Sequence, residues 1–227
     1  SPSILTPGGL VGGYSTRYTG LDTENGEDAW VFNGTTTRQV GLTGGVYTGS
    51  NGYQMTELWF LHDGARACGI SKRFSGAIDD YGQNAWYWTG STTRLIGMTN
   101  ATHTGTNGYQ RSYVKFQNAS GKTVGSSLRY APNGAENGLT AWYYDPATNT
   151  TTPIVGSTRL GDSYAYSVVD VLTEDGFALG MYKVFSSPLD DGQERALIFR
   201  PDRGITHPGN LASGGRPDNG WDTPIPV

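Results

Sequence analysis

The sequence predicts an all-β protein, a β-propeller of four blades, each about 56 residues long. The first observation is a recurring Ala-Trp strand core, DAWVF at 28–32, NAWYW at 84–88 and TAWYY at 140–144, with Trp30, Trp86 and Trp142 evenly spaced. A fourth copy, RALIF at 195–199, puts Leu197 in the Trp place, one position short of the same spacing. A fixed period of this size marks a repeat architecture. The second observation is composition. The chain has 34 glycines among 227 residues and is rich in Thr, Ser, Asn, Tyr and Trp, as expected of many short strands joined by tight turns. The third is an absence: no window places apolar residues at i, i+3, i+4 and i+7, so no helix is expected.

Taken in order, residues 1–20 finish a unit rather than begin one. Their end, GGYSTRY, recurs as CGISKRF at 68–74 and VGSSLRY at 124–130, and more weakly as LGMYKVF at 179–185. Each unit then carries four strand-like pieces. The Ala-Trp strand comes first. A Thr-rich piece follows (TTTRQVGLT at 35–43, STTRLIGMT at 91–99, TTTPIVGST at 150–158). The third includes GYQMTELWFL at 52–61, GYQRSYVKFQ at 108–117 and SYAYSVVDVL at 163–172. The Gly-x-Ser-x-Arg-aromatic strand closes the unit. Turn signals separate the pieces: Asn33-Gly34, Asp63-Gly64, Ser120-Gly121 and Asp175-Gly176. Four short strands per unit is the sequence form of a propeller blade. On this phase the full blades are 21–76, 77–132 and 133–188, and 1–20 with 189–227 are expected to stitch a closing blade that hides the sheet edges. Two chains joined as half-rings, a homo-oligomer, is the variant the pattern also admits.

Net charge is −4, with only 16 Lys and Arg. That argues against a nucleic-acid binder, which needs a basic face to release counterions from phosphates. No apolar run reaches the ~18 residues of a membrane span. The one cysteine, Cys68, rules out an internal disulfide and sits in an apolar strand position, so a small buried hydrophobe is expected. The chain begins Ser1-Pro2, as a processed mature protein or a trimmed piece would.

Strand alternation sorts the side chains that could carry chemistry. Trp30, Trp86, Trp142 and Leu197 occupy one position in all four units and read as packing between blades. Ser15 with Arg17, Ser71 with Arg73 and Ser127 with Arg129 share a face in three units. The arginines are candidate anion or sugar ligands, against the plainer reading that each pairs with a nearby carboxylate or carbonyl. The loops at 44–54 and 100–110 are near copies. They offer Tyr47, Asn51 and Tyr53 in one and His103, Asn107 and Tyr109 in the other as ligand-binding candidates, against the plainer reading of an Asn-Gly turn with a covering Tyr. Asp22, Glu24 and Asp28 in DTENGED are the one calcium candidate, without the full spacing of a calcium loop. No cofactor is otherwise expected. His62, His103 and His207 are not at metal-ligand spacing. There is no Gly-x-Ser-x-Gly elbow, phosphate loop or dinucleotide fingerprint.

At DAWVFNGTTTRQVGLT, GYQ and VGSSLRY the chain resembles a group of bacterial secreted repeat proteins with units of the form SAWLYDGTTTTQIGLT, GYQ and LNASGQVAGYSxRY. The resemblance covers nearly all of residues 1–200 and is poorest in the third full unit, which lacks GYQ and the Ser/Arg pair. It implies an exported propeller-like protein, extracellular or periplasmic, and supplies no catalytic residues. The leading functional expectation is an extracellular binding module for carbohydrate or another cell-surface ligand, working through repeated loop sites. The alternatives are a polysaccharide lyase or glycoside hydrolase with one site at the propeller axis, and a structural subunit of a surface assembly. Several equivalent sites favour binding; a single pocket of repeat-breaking residues favours an enzyme.

Overall fold

Alternating apolar and polar side chains make strands here, and glycine-bearing turns fold successive strands back on one another. The computed structural model describes residues 1–64 and 66–206. In them sixteen strands form four antiparallel four-stranded sheets. The first holds β1 (Pro2–Leu5), β2 (Val11–Thr19), β3 (Thr23–Phe32) and β4 (Thr37–Val40). The second holds β5 (Gln54–His62), β6 (Arg66–Phe74), β7 (Asp80–Trp88) and β8 (Thr93–Leu95). The third holds β9 (Gln110–Gln117), β10 (Thr123–Tyr130), β11 (Glu136–Asp145) and β12 (Thr150–Ile154). The fourth holds β13 (Ala165–Leu172), β14 (Ala178–Val184), β15 (Gln193–Arg200) and β16 (Gly204–Thr206). Consecutive four-stranded antiparallel sheets of this kind are the units of a β-propeller, the fold class expected. Two short 3-10 turns, Gly45–Tyr47 and Ala101–His103, lie in the crossovers between sheets and had no signal in the periodicity.

Successive sheets are joined by a parallel contact of two residue pairs. Gly26 and Glu27 pair with Gln54 and Met55, Gly82 and Gln83 with Gln110 and Arg111, and Gly138 and Leu139 with Ala165 and Tyr166. The glycine is required at this join. Its φ is +96° at Gly26, +92° at Gly82 and +97° at Gly138, and an added Cβ would fall 1.6–1.9 Å from the next sheet's carbonyl oxygen.

The core lies between the sheets. Trp86 and Trp88 of the second sheet pack with Ala29, Val31 and Val40 of the first. Trp142 and Tyr144 of the third pack with Cys68, Ala85, Tyr87 and Ile96 of the second. Leu197 and Phe199 of the fourth pack with Val124, Ala141, Tyr143 and Ile154 of the third. The repeated Trp position is therefore packing between sheets, and Cys68 is a fully buried member of that core, its thiol pushed well up by burial. Trp30, which no sheet precedes among the described residues, is only half-buried.

Two expectations change. The Ala-Trp strand is the third of its sheet, not the first, so the sheets span 2–40, 54–95, 110–154 and 165–206 rather than 21–76, 77–132 and 133–188. A repeat fixes a period but not its phase. The phase is set by the hairpins, because the Ala-Trp strand pairs antiparallel on both sides whereas the segment before β5 is a crossover. The stitched closing blade is also absent among the described residues. β1 pairs only with β2, and β16 only with β15, so residues 1–20 and 189–206 belong to separate sheets. Residues 207–227, on which part of that expectation falls, lie outside the described residues.

Candidate functional site

The second strand of each of the first three sheets carries Arg two residues past Ser: Arg17, Arg73 and Arg129. The cross-strand partners of those serines are Asp28, Asn84 and Thr140. So one position beside the arginine is an acid, then an amide, then a hydroxyl. Arg17 Nη1 forms an ion pair with Asp28 Oδ2 at 2.7 Å. Arg73 Nη1 donates to the carbonyls of Tyr81 at 3.1 Å and Gly108 at 2.9 Å, and its guanidinium sits 4.8 Å from the centre of the Tyr81 ring. Arg129 Nη1 donates to Thr140 Oγ1 and Nη2 to the Ser163 carbonyl, both at 3.1 Å. Arg129 is 7% exposed. Burial lowers the pKa of both Arg73 and Arg129, and among the described residues neither has a carboxylate partner.

The crossover loops bring the other predicted residues to these arginines. The turn at Gly45–Tyr47 packs on β6 and the turn at Ala101–His103 on β10. Tyr47 donates its hydroxyl to Asn84 Oδ1 at 2.9 Å, and burial raises its pKa while the nearby Arg73 opposes that. His103, the residue at the equivalent place, is 3% exposed. Its Nδ1 donates to Asn100 Oδ1 at 2.6 Å, leaving Nε2 unprotonated, enclosed and without a partner among the described residues. Burial first, and the charge of Arg129 second, push its pKa down to about 4, so the ring is neutral at pH 7.

The remaining loop candidates serve the loop. Asn51 Oδ1 accepts from the Tyr53 amide and Asn107 Oδ1 from the Tyr109 amide, each at 3.0 Å, which closes the turn. Tyr53 meets Phe74 edge-on at 5.4 Å and Tyr109 meets Tyr130 at 6.4 Å. A third copy escaped the sequence reading. Asp162 Oδ1 accepts from the Tyr164 amide at 3.0 Å, and Tyr164 meets Phe185 edge-on at 5.7 Å. This loop is one residue shorter and lacks GYQ, but Tyr164 stands one position short of a full period after Tyr109 and was the available signal.

A second position bears on the space over the arginine. Asn25, Tyr81 and Asn137 are equivalent, and each donates to a carbonyl of the following loop: Asn51 at 3.4 Å, Asn107 at 2.5 Å and Asp162 at 2.8 Å. The Tyr81 ring lies over Arg73. Asn137 is too short to cover Arg129, and a cleft of about 450 Å³ opens there. Its walls include Thr102, Thr104, Thr106, Tyr130, Pro132 and Asn137, with Arg129 among the lining residues. Burial pushes the Tyr130 phenol strongly up, and its hydroxyl is enclosed without a partner.

The calcium candidates do not converge. Glu24 and Asp28 lie four residues apart along the extended β3, and Asp28 is held by Arg17. Among the described residues no three His, Cys, Asp or Glu side chains gather as a metal site. His62 Nε2 is 3.1 Å from the Gln117 carbonyl, and His207 lies outside the described residues. Among the described residues no helix is long and apolar enough to cross a membrane.

No family model matches the sequence, and no curated protein does. Solved structures similar in fold include the following two. One is the β-propeller domain of the Trilobed protease from Pyrococcus furiosus, at 9% identity and a TM-score of 0.43 over 87% of this chain. This chain spans about half of that one, 48%. The other is a complex of BT0996 with RGII, at 11% identity and a TM-score of 0.34, covering 91% of this chain and 72% of that one.

Proposed function

We propose that the protein is an exported binding module whose ligand is a carbohydrate, held in the cleft between the 100–110 loop and β10. The cleft's lining carries this reading: the hydroxyls of Thr102 and Thr106 and the amide of Asn137 stand beside the Tyr130 ring and Pro132. Polar groups that exchange hydrogen bonds with sugar hydroxyls, set against a flat apolar surface for a sugar face, are what such a ligand needs. The loop that builds it sits on a rigid packed scaffold, where loops vary without disturbing the strands.

The cleft lies over Arg129, where the acid position is Thr140 and the covering position is Asn137, and a cleft beside one arginine raises the rival reading of an enzyme. A lyase or hydrolase needs a base or acid facing the cleft. The Tyr130 phenol is pushed up and enclosed, the free nitrogen of His103 is enclosed as well, and Asp162, the carboxylate in the lining, is held by Arg159 and the Tyr164 amide with its pKa lowered to about 2. Binding without chemistry fits these groups better. The test is a glycan-array screen beside an assay for reducing-end release, run on the natural chain and on Asn137→Tyr, which copies Tyr81 and fills the cleft. Glycan capture by the natural chain, loss of it in a folded Asn137→Tyr and no reducing ends are expected. Equal capture by both, or none by either, would overturn the reading.

A further inference from the structure

The three equivalent arginines show what a buried guanidinium requires in this fold. Arg17 has a carboxylate, Asp28. Arg73 has neutral Asn84 there, but the Tyr81 ring covers it and two carbonyls accept from it. Arg129 has one carbonyl, that of Ser163, and one hydroxyl, that of Thr140, but neither a carboxylate nor a covering ring. The acid position is Thr140, the covering position is Asn137, and among the described residues no carboxylate pairs with it. Asp162 lines the same cleft, but Arg159 and the Tyr164 amide hold its carboxylate. A guanidinium taken out of water without an opposite charge is costly, and the cost is removed when an anion arrives.

We infer that the Arg129 cleft selects a carboxylate, and that the glycan it takes is an acidic one carrying uronate residues. This rests on the glycan reading for the sugar and on Arg129 alone for the charge. A guanidinium has five N–H groups, and the two terminal nitrogens of Arg129 each have one protein partner, so one N–H on each remains for a ligand. Guanidinium N–H groups are the donors a planar carboxylate matches. The attraction is local, since the chain's net charge of −4 repels anions at long range.

The test compares glucuronate, glucose and acetate on the whole chain, followed by calorimetric titration and by the NMR signal of the Arg129 side-chain N–H. Glucuronate is expected to bind at least tenfold more tightly than glucose and to shift the Arg129 signal. Thr140→Asp copies Asp28 and supplies the missing charge from within. It is expected to raise the Tm of the free protein and to weaken glucuronate at least tenfold. Thr140 is fully buried, so a second variant, Thr106→Asp on the exposed cleft wall, guards against misfolding and is also expected to weaken glucuronate. Equal affinity for glucuronate and glucose would overturn the charge inference and leave the glycan reading standing. Acetate and glucuronate acting alike, with no glycan captured on the array, would uphold the charge inference and overturn the glycan reading. Undiminished glucuronate binding in folded Thr106→Asp would place the anion elsewhere and overturn the inference.

Discussion

At the scale of single residues, the three arginine sites differ at two positions of the repeat. Asp28, Asn84 and Thr140 differ at one position, and Asn25, Tyr81 and Asn137 at another. Those two differences turn a paired arginine into a covered one and then into an open one. His103 is a third difference, standing where Tyr47 stands, and it has a consequence for stability. Its folded pKa is about 4 against 6.5 for a free histidine. Between those values the unfolded chain takes up a proton that the folded one refuses. Stability from this group is therefore full above about pH 6.5 and is lost as pH falls toward about 4, at up to about 1.4 kcal/mol per pH unit. Asp162 and Asp190, whose pKa values are lowered to about 2 by hydrogen bonds, act in a lower window. Denaturant midpoints measured from pH 7 to pH 4 are expected to fall for the natural chain and to fall much less for His103→Gln.

At the scale of elements, the join between sheets is the most demanding piece of backbone. Gly82 combines a φ of +92° with a Cβ position 1.7 Å from the Gln110 carbonyl oxygen. Adding a methyl group there asks for a left-handed conformation, which costs ~1–2 kcal/mol, and also for separation of β7 from β9. Gly82→Ala is expected to destabilise the protein by more than that conformational cost alone, ~2–4 kcal/mol, in equilibrium unfolding. A loss below ~1 kcal/mol would mean the join is not tight. The fourth sheet carries Gln193, not glycine, at the place that follows Gly138 by one short period, and among the described residues no sheet joins it there.

At the scale of the whole molecule, each sheet lends one face to the sheet before it, so among the described residues inner sheets are covered on both sides and outer ones on one. Trp86 is fully buried between the first two sheets, whereas Trp30 is half-buried and lines an open shallow pocket with Val11, Phe32 and Thr37. Trp86→Ala is expected to cost ~3–5 kcal/mol, the range for deleting a large buried aromatic. Trp30→Ala, equivalent in the repeat, is expected to cost well under half of that. Equal losses in thermal or chemical unfolding would show that something covers the first sheet's face in solution.

The strands, the repeat period, the inter-sheet role of Trp86, Trp142 and Leu197, and the buried nature of Cys68 are all legible in the chain before it folds. Each follows from local alternation or from recurrence, which a chain displays without folding. The sequence left the phase of the sheets open, because a period reads the same from any starting residue and only the hairpin partners of β3, β7 and β11 fix it. It proposed the arginines and the 44–54 and 100–110 loops as separate candidates. Tertiary structure decided that Tyr47 comes to Arg73 and His103 to Arg129, because the crossover from one sheet packs its turn on the second strand of the next. It decided too that Asn51, Tyr53, Asn107 and Tyr109 hold the loops together. The cleft itself depends on three side chains far apart in the chain, Arg129, Asn137 and Thr106. Whether such groups leave a space between them is a matter of volume and direction, and neither is fixed until the sheets are packed.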